Sequence, residues 1–221
     1  MLACFFFSCQ LLIMSKRETH PRTQDERSAA MRERLINATL ETILECGYSG
    51  ATLVGIAKKA GVTRGALNHH FDSKDDLIVE AMSDMLKKGS AEIRGYAESV
   101  QNGTLSPSEF LDRVWEIFSG PFFMVTLEQI TASRHNDVLK NRLVVVTRDF
   151  HKALDEIWSS FFTTNELQQP QLETILNATL CLFRGMGAQT VLREDPAYYQ
   201  RLLSFWKDIL FSTTGITFKS K

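Results

Sequence analysis

Two adjacent histidines, His69 and His70, stand in the stretch AGVTRGALNHHFDSKDDL, Ala60 to Leu77. Paired imidazoles suggest three chemistries: a metal site, an acid–base pair, or contacts to a nucleic acid. Metal ligation fits poorly. Neighbours on a helix lie about 100° apart around its axis, so they do not converge on one ion as an i,i+4 pair does. No cysteine stands nearby, and no carboxylate falls at a useful helical offset. The chain has no Ser-His-Asp order, P-loop or HExxH. No catalytic residue, metal site or cofactor is therefore expected, and the chain does not read as an enzyme.

The spacing around the histidines fits nucleic-acid contact better. Thr52 caps the short helix LVGIAKKA, Gly61 stops it, and Thr63 caps a second, RGALNHHF, which Asp72 closes. Small Ala57, then Gly61, then large apolar Leu67 is the order needed by two helices that cross steeply at a tight turn. The exposed side of the second helix then carries Thr63, Arg64, Asn68 and His69, and such a helix fits the DNA major groove. Lys74 and the start of a fourth helix would clamp the phosphate backbone. Ser73 and Asp76 have the spacing of a capping box. The first helix, Met31 to Cys46, points Leu35, Ile36, Thr39, Leu40, Ile43 and Leu44 inward, and Gly47 ends it. The fourth is expected from Ser73 to about Lys88. On spacing alone, a helical hairpin within a core is the alternative.

Composition sets wide bounds. The 221 residues are 44% hydrophobic with a net charge of -1, so the chain is globular and not basic overall. Between Ser15 and Lys74 there are 10 Lys and Arg against 7 Asp and Glu, a mildly basic head on an acidic body. Of Cys4, Cys9, Cys46 and Cys181 none forms a CxxC pair, and Cys46 and Cys181 read as small core residues. Residues 1–14, MLACFFFSCQLLIM, are apolar and uncharged. They are too short to span a bilayer comfortably and lack the positive charge that precedes a signal-peptide core. The expectation is a natural start at Met14, with 1–30 as leader and flexible arm. A cleaved or membrane-associated leader, or a strand-like flap, is the rival. No stable membrane association is expected, and the location is cytoplasmic.

The segment TLVGIAKKAGVTRGALNHHFDSKDDLIVEAM resembles the DNA-binding segment of the TetR family of bacterial transcription regulators. Thr52, Ile56-Ala57, Ala60-Gly61-Val62, Gly65, Leu67, His70-Phe71, Ser73-Lys74 and Leu77 carry the resemblance. It implies an all-α homodimer, usually a repressor. A three-helix head with a helix-turn-helix (31–77) would join a larger helical effector-binding and dimerisation domain (78–221). Residues at the family's DNA-contact positions are Thr52, Thr63, Arg64, Gly65 and His69 or His70. Asn68 departs from the pattern, because a tyrosine commonly stands there. Asn is shorter but pairs bidentately with adenine.

The body reads as helices throughout. Phe118, Phe122, Phe123, Met124, Leu127, Phe150, Trp158, Phe183 and Met186 are candidates to line a cavity for a largely apolar or aromatic effector. Glu128, Arg134, His151 and Arg184 are placed to orient a charged group. The small residues Ala178, Cys181, Gly185 and Ala188 form a smooth strip on one helix. With Leu202, Trp206 and Ile209 of the last helix they suggest a four-helix dimer interface. The resulting function is a sequence-specific DNA-binding regulator, a repressor released from a palindromic operator by a small molecule. The alternative is a helical small-molecule-binding protein without significant DNA binding.

Overall fold

The computed structural model describes residues 23–160 and 169–214, and these form nine helices and no strand. The expected leader and most of the arm lie outside the described residues. The first helix, α1 (Gln24–Gly50), starts well before Met31, so residues 24–30 are helix and not flexible arm. Thr23 Oγ1 accepts the Glu26 N–H at 3.2 Å, and the Glu26 carboxylate accepts the Thr23 N–H at 2.8 Å. This capping box fixes a start where the sequence has no apolar stripe to announce it. Further along, Leu35, Ile36, Thr39 and Ile43 are buried, whereas Leu44 is exposed and Leu40 half-buried. At Gly47 the helix breaks, with φ 70° and ψ 175°. That left-handed φ favours a residue without a Cβ.

After the break come α2 (Leu53–Lys59) and α3 (Arg64–Asn68). The turn between them is a Schellman closure. Gly61, at φ 65°, gives its N–H to Lys58 O, and Val62 gives its N–H to Ala57 O at 3.0 Å. Ala57 and Leu67 are buried at the crossing, as their spacing predicts.

Helix α4 (Lys74–Gln101) starts at Ser73 as expected but runs far past Lys88. Gly89 lies within it because Phe122 packs there: a Cβ on Gly89 would stand 2.6 Å from the Phe122 ring. The body continues with α5 (Pro107–Phe118), α6 (Pro121–Ser133), α7 (Asp137–Ser159), α8 (Gln169–Gln189) and α9 (Pro196–Thr214). Ser106 and Asn136 cap α5 and α7 through their side chains, and Pro121 opens α6 after Gly120. Val144, Val145 and Val146 lie within α7, in helix and not strand.

The body core centres on aromatic rings. Trp115 and Phe118 of α5 stand 5.9 and 6.2 Å from Phe183 of α8, and Trp115 stands 5.8 Å from Tyr199 of α9. Burying each such ring contributes about 1.5–3 kcal/mol. Cys46 and Cys181, expected in the core, are both exposed. Cys46 lies on the outer side of α1, where its thiol bonds the Thr42 carbonyl, and Cys181 lies on the outward strip of α8. No helix among the described residues is long and apolar enough to cross a membrane.

Two glycines test this packing in opposite directions. A methyl on Gly187 would overlap the Phe118 carbonyl oxygen and the Phe123 ring, whereas nothing lies within 4 Å of one on Gly95. Gly187→Ala is expected to destabilise by about 1–3 kcal/mol. Gly95→Ala, within α4, is expected to stabilise by about 0.5–1 kcal/mol. Thermal unfolding followed by circular dichroism separates the two signs.

Candidate nucleic-acid interface

Threonine caps and one buried leucine set the surface of the head. Thr52 Oγ1 accepts the Gly55 N–H at 3.1 Å and Thr63 Oγ1 accepts the Ala66 N–H at 3.1 Å. Leu67, with no exposed surface, pins α3 against α2. The opposite side of α3 is thereby turned to solvent. Thr63, Arg64, Gly65, Asn68 and His69 are exposed along α3 and at its ends, and Thr52 is exposed at the start of α2. Arg64 has no ion pair among the described residues.

The histidines are placed differently from the sequence expectation. Helix α3 ends at Asn68, so His69 is its C-cap and half-buried His70 follows in the turn. The chain leaves the helix there to bring Phe71 into the core, where the Arg32 guanidinium lies 5.2 Å from its ring centre. Lys74 also differs. Its ammonium donates to the Tyr48 carbonyl and stands 4.1 Å over the Tyr48 ring. It is turned back into the protein, and burial lowers its pKa. The Ser73–Asp76 pair is half of a capping box. Ser73 Oγ accepts the Asp76 N–H at 3.1 Å, but the shorter Asp76 carboxylate accepts a hydrogen bond from the Ser73 hydroxyl at 2.6 Å.

A polar junction that sequence reasoning missed joins this head to the body. Glu128, expected in a ligand pocket, is instead exposed on α6. It accepts the Tyr48 N–H, freed by the break in α1, at 3.0 Å. The Tyr48 hydroxyl donates to Asp75 at 2.8 Å, and Asn136 donates to the other oxygen of Asp75 at 3.1 Å. Arg142 of α7 pairs with Asp76 at 2.6 Å. Burial, then Asp75, raises the Tyr48 pKa. With the other end of its amide, Asn136 accepts the Leu139 N–H and caps α7. Nothing local signalled its second bond.

Phe118, Phe122, Phe123, Phe150 and Phe183 form a run of ring contacts between 5.9 and 6.2 Å. Leu127 is half-buried, and Met186 is buried. Trp158 lines an apolar pocket with Ile93, Phe110, Leu111, Val114, Leu154, Ile157, Leu176, Thr179 and Leu180, between α4, α5, α7 and α8. On α6, Gln129 is buried and neither of its side-chain amide atoms has a hydrogen-bond partner among the described residues. Leaving such an amide unbonded costs roughly 2–7 kcal/mol, depending on the reference state. Arg184 meets His151 Nε2 at 2.9 Å, and burial foremost lowers the pKa of both. Arg134 is exposed at the end of α6. No group of three or more His, Cys, Asp or Glu among the described residues could hold a metal.

On the outward side of α8, Cys181 and Gly185 are exposed, and Ala178 and Ala188 are partly exposed. Ile209 and Phe205 of α9 are 38% and 64% exposed. Leu202 and Trp206 pack partly inward, and the Trp206 indole donates to Thr179 at 3.1 Å.

Residues 35–81 match the model of the family described as bacterial regulatory proteins, tetR family. The HTH-type transcriptional regulator CymR of Pseudomonas putida is 24% identical over 181 residues, 82% of this chain and 89% of that protein. The HTH-type transcriptional regulator BetI of Paraburkholderia phytofirmans is 31% identical over 134 residues, 56% of this chain and 69% of that protein. The crystal structure of a transcriptional regulator from Rhodococcus sp. Rha1 shares the fold, with a TM-score of 0.67 at 20% identity. It covers 84% of this chain and 98% of that one.

The junction carries a pH dependence. The Ser73 hydroxyl foremost, with Arg142, holds the Asp76 carboxyl below the ordinary carboxylate range. A depressed folded value gives stability that is present above about pH 4 and lost as pH falls through that value. Asp76→Asn is expected to lower stability at neutral pH and to flatten its fall toward acid. Urea unfolding at neutral pH and near about pH 3 measures this; an unchanged difference between the two conditions would count against the role.

Proposed function

Because the chain belongs to the tetR family of bacterial regulatory proteins, we propose that it is a homodimeric repressor released from a palindromic operator by a small, largely apolar effector. That it is a DNA-binding regulator of transcription follows from the family. The DNA-reading surface in this proposal is supported above all by the exposed face of α3, on which Arg64 and Asn68 stand next to each other and Arg64 has no acidic partner within the described residues. In this reading residues 31–77 are the reading head and 78–221 the sensing and pairing domain. Arg64 and Asn68 read base edges, and Thr52, Thr63, Gly65 and His69 grip the backbone. His70 is half-buried and Lys74 is engaged with Tyr48, so both are accessory.

One five-residue helix makes few contacts, and a two-fold pair reads a palindrome with half-site centres about 34 Å apart. The strip of Ala178, Cys181, Gly185 and Ala188, with Phe205 and Ile209, offers an apolar face for that pairing. An effector in the body acts by preferring a head spacing that does not fit the operator. Helix α4, shared by head and body, is the lever. Such a regulator works in the cytoplasm.

Replacing Arg64 and Asn68 together with Ala is expected to weaken binding to the gene's own upstream DNA by about 2–4 kcal/mol, read by fluorescence anisotropy at fixed salt. Unchanged affinity would remove α3 as the reading surface. Sedimentation equilibrium is expected to give a dimer at micromolar concentration, and Ile209→Glu is expected to shift it to monomer. A monomeric wild type would defeat the pairing.

A further inference from the structure

A buried primary amide without a hydrogen bond is rare in a folded core and asks for a partner. Gln129 is such a group: it is 1% exposed, and neither side-chain atom has a hydrogen-bond partner among the described residues. Helical register places it. Phe122 sits in the notch at Gly89 of α4. Seven residues are two helical turns, so Gln129 follows Phe122 along the same face of α6. Just beyond α6, Asn136 reaches Asp75 near the start of α4, so α6 runs against α4 in the opposite sense. The same two-turn step back from Gly89 arrives at Met82. Glu128 lies about 100° further around α6 and meets Tyr48 of α1, which leaves Gln129 facing α4. Met82 and Met85 are buried on this side. Their unbranched side chains readily repack around an added group.

In the other direction lies the apolar pocket. Ile93, one turn beyond Gly89, lines it with Leu154 and Trp158 of α7. Phe150, one turn before Leu154, stands 5.9 Å from Phe122. The Phe122 ring, seated at Gly89 and backed by Phe150, therefore separates the pocket from the Gln129 amide. From Met82 to Ile93 is roughly 16 Å of helix.

We propose that the effector spans both. It is an elongated, largely apolar molecule that widens this pocket, which as it stands has room for little more than a water molecule, displaces Phe122 and ends in one neutral hydrogen-bonding group, a hydroxyl or amide, on Gln129. A neutral group fits because the amide offers two donors and one acceptor, and a hydroxyl or amide answers both kinds. A carboxylate would leave Gln129 Oε1 unbonded and bury its own charge unpaired. The inference rests on the effector-release reading and adds the chemistry of the ligand.

The test uses the full chain with n-decanol, decanoate and n-butanol as probes, read by melting temperature and tryptophan fluorescence. Decanol is expected to raise the melting temperature and shift the emission, while decanoate and butanol at equal concentration do neither. Gln129→Leu is expected to lose about tenfold in decanol affinity, yet to melt higher than wild type without ligand because the unpaired amide is gone. Phe122→Ala is expected to bind decanol several-fold more tightly. The proposal is overturned if wild type ignores decanol, or if Gln129→Leu binds it equally well. It is also overturned if decanoate binds best through Arg184, or if Gln129→Leu melts lower because a buried water alone had satisfied the amide. Operator binding by ligand-free wild type is measured alongside. Its failure would overturn the regulator reading, while the decanol series by itself decides the ligand class.

Discussion

When a helix breaks, it releases backbone groups that must find new partners. At Gly47 the break in α1 releases the Tyr48 N–H, and the partner comes from another helix altogether, the Glu128 carboxylate of α6. Gly47 also has to be small, because a Cβ there would stand 2.9 Å from the same carboxylate. The surrounding bonds follow from this docking. Tyr48 reaches Asp75, Asn136 holds the other side of Asp75, and Arg142 takes Asp76. All of them fasten the end of α1 and the first turn of α4 to the body. Since α2 and α3 hang between α1 and α4, the direction of the exposed face of α3 is set by these contacts and not by α3 itself.

The same logic runs from packing to function. A five-residue helix has no stability of its own. It persists because Leu67 and Phe71 on either side of its end are buried, and because Thr63 satisfies its first turn. What remains outward is short, polar and rich in hydrogen-bonding groups. The body, by contrast, has many large apolar side chains and few places where a polar group is out of balance. Gln129 and the Arg184–His151 pair are the ones that stand out.

Local punctuation was legible in the sequence. Thr52, Thr63 and Ser73 cap helices where expected, and Gly61 and Gly47 break the chain where expected. These signals act over three or four residues and need no knowledge of the fold. The family resemblance lay in the same segment. What stayed hidden depends on partners far along the chain. The early start of α1 lacked an apolar stripe. The length of α4 was masked by Gly89, whose reason is an aromatic ring from α6. Glu128 and Lys74 carried charges that looked available, and both are committed to Tyr48. Phe118, Phe123, Phe150 and Phe183 are buried, but sequence spacing cannot tell a packed ring from one that borders a space. The histidines were placed on α3 because the helical pattern continues through them, whereas the demand of Phe71 for the core ends the helix first.

Helix α4 passes without interruption from the head into the body, and its first turn is held by residues of α6 and α7. The reading head is therefore not a detachable module. Exchanging it between regulators by joining chains at the end of α3 would part Tyr48 from both Glu128 and Asp75. A working chimera would have to carry those matching body residues along with the head. Recombination that respects only the boundaries of the DNA-reading segment would yield molecules that fold in two halves and aim in neither.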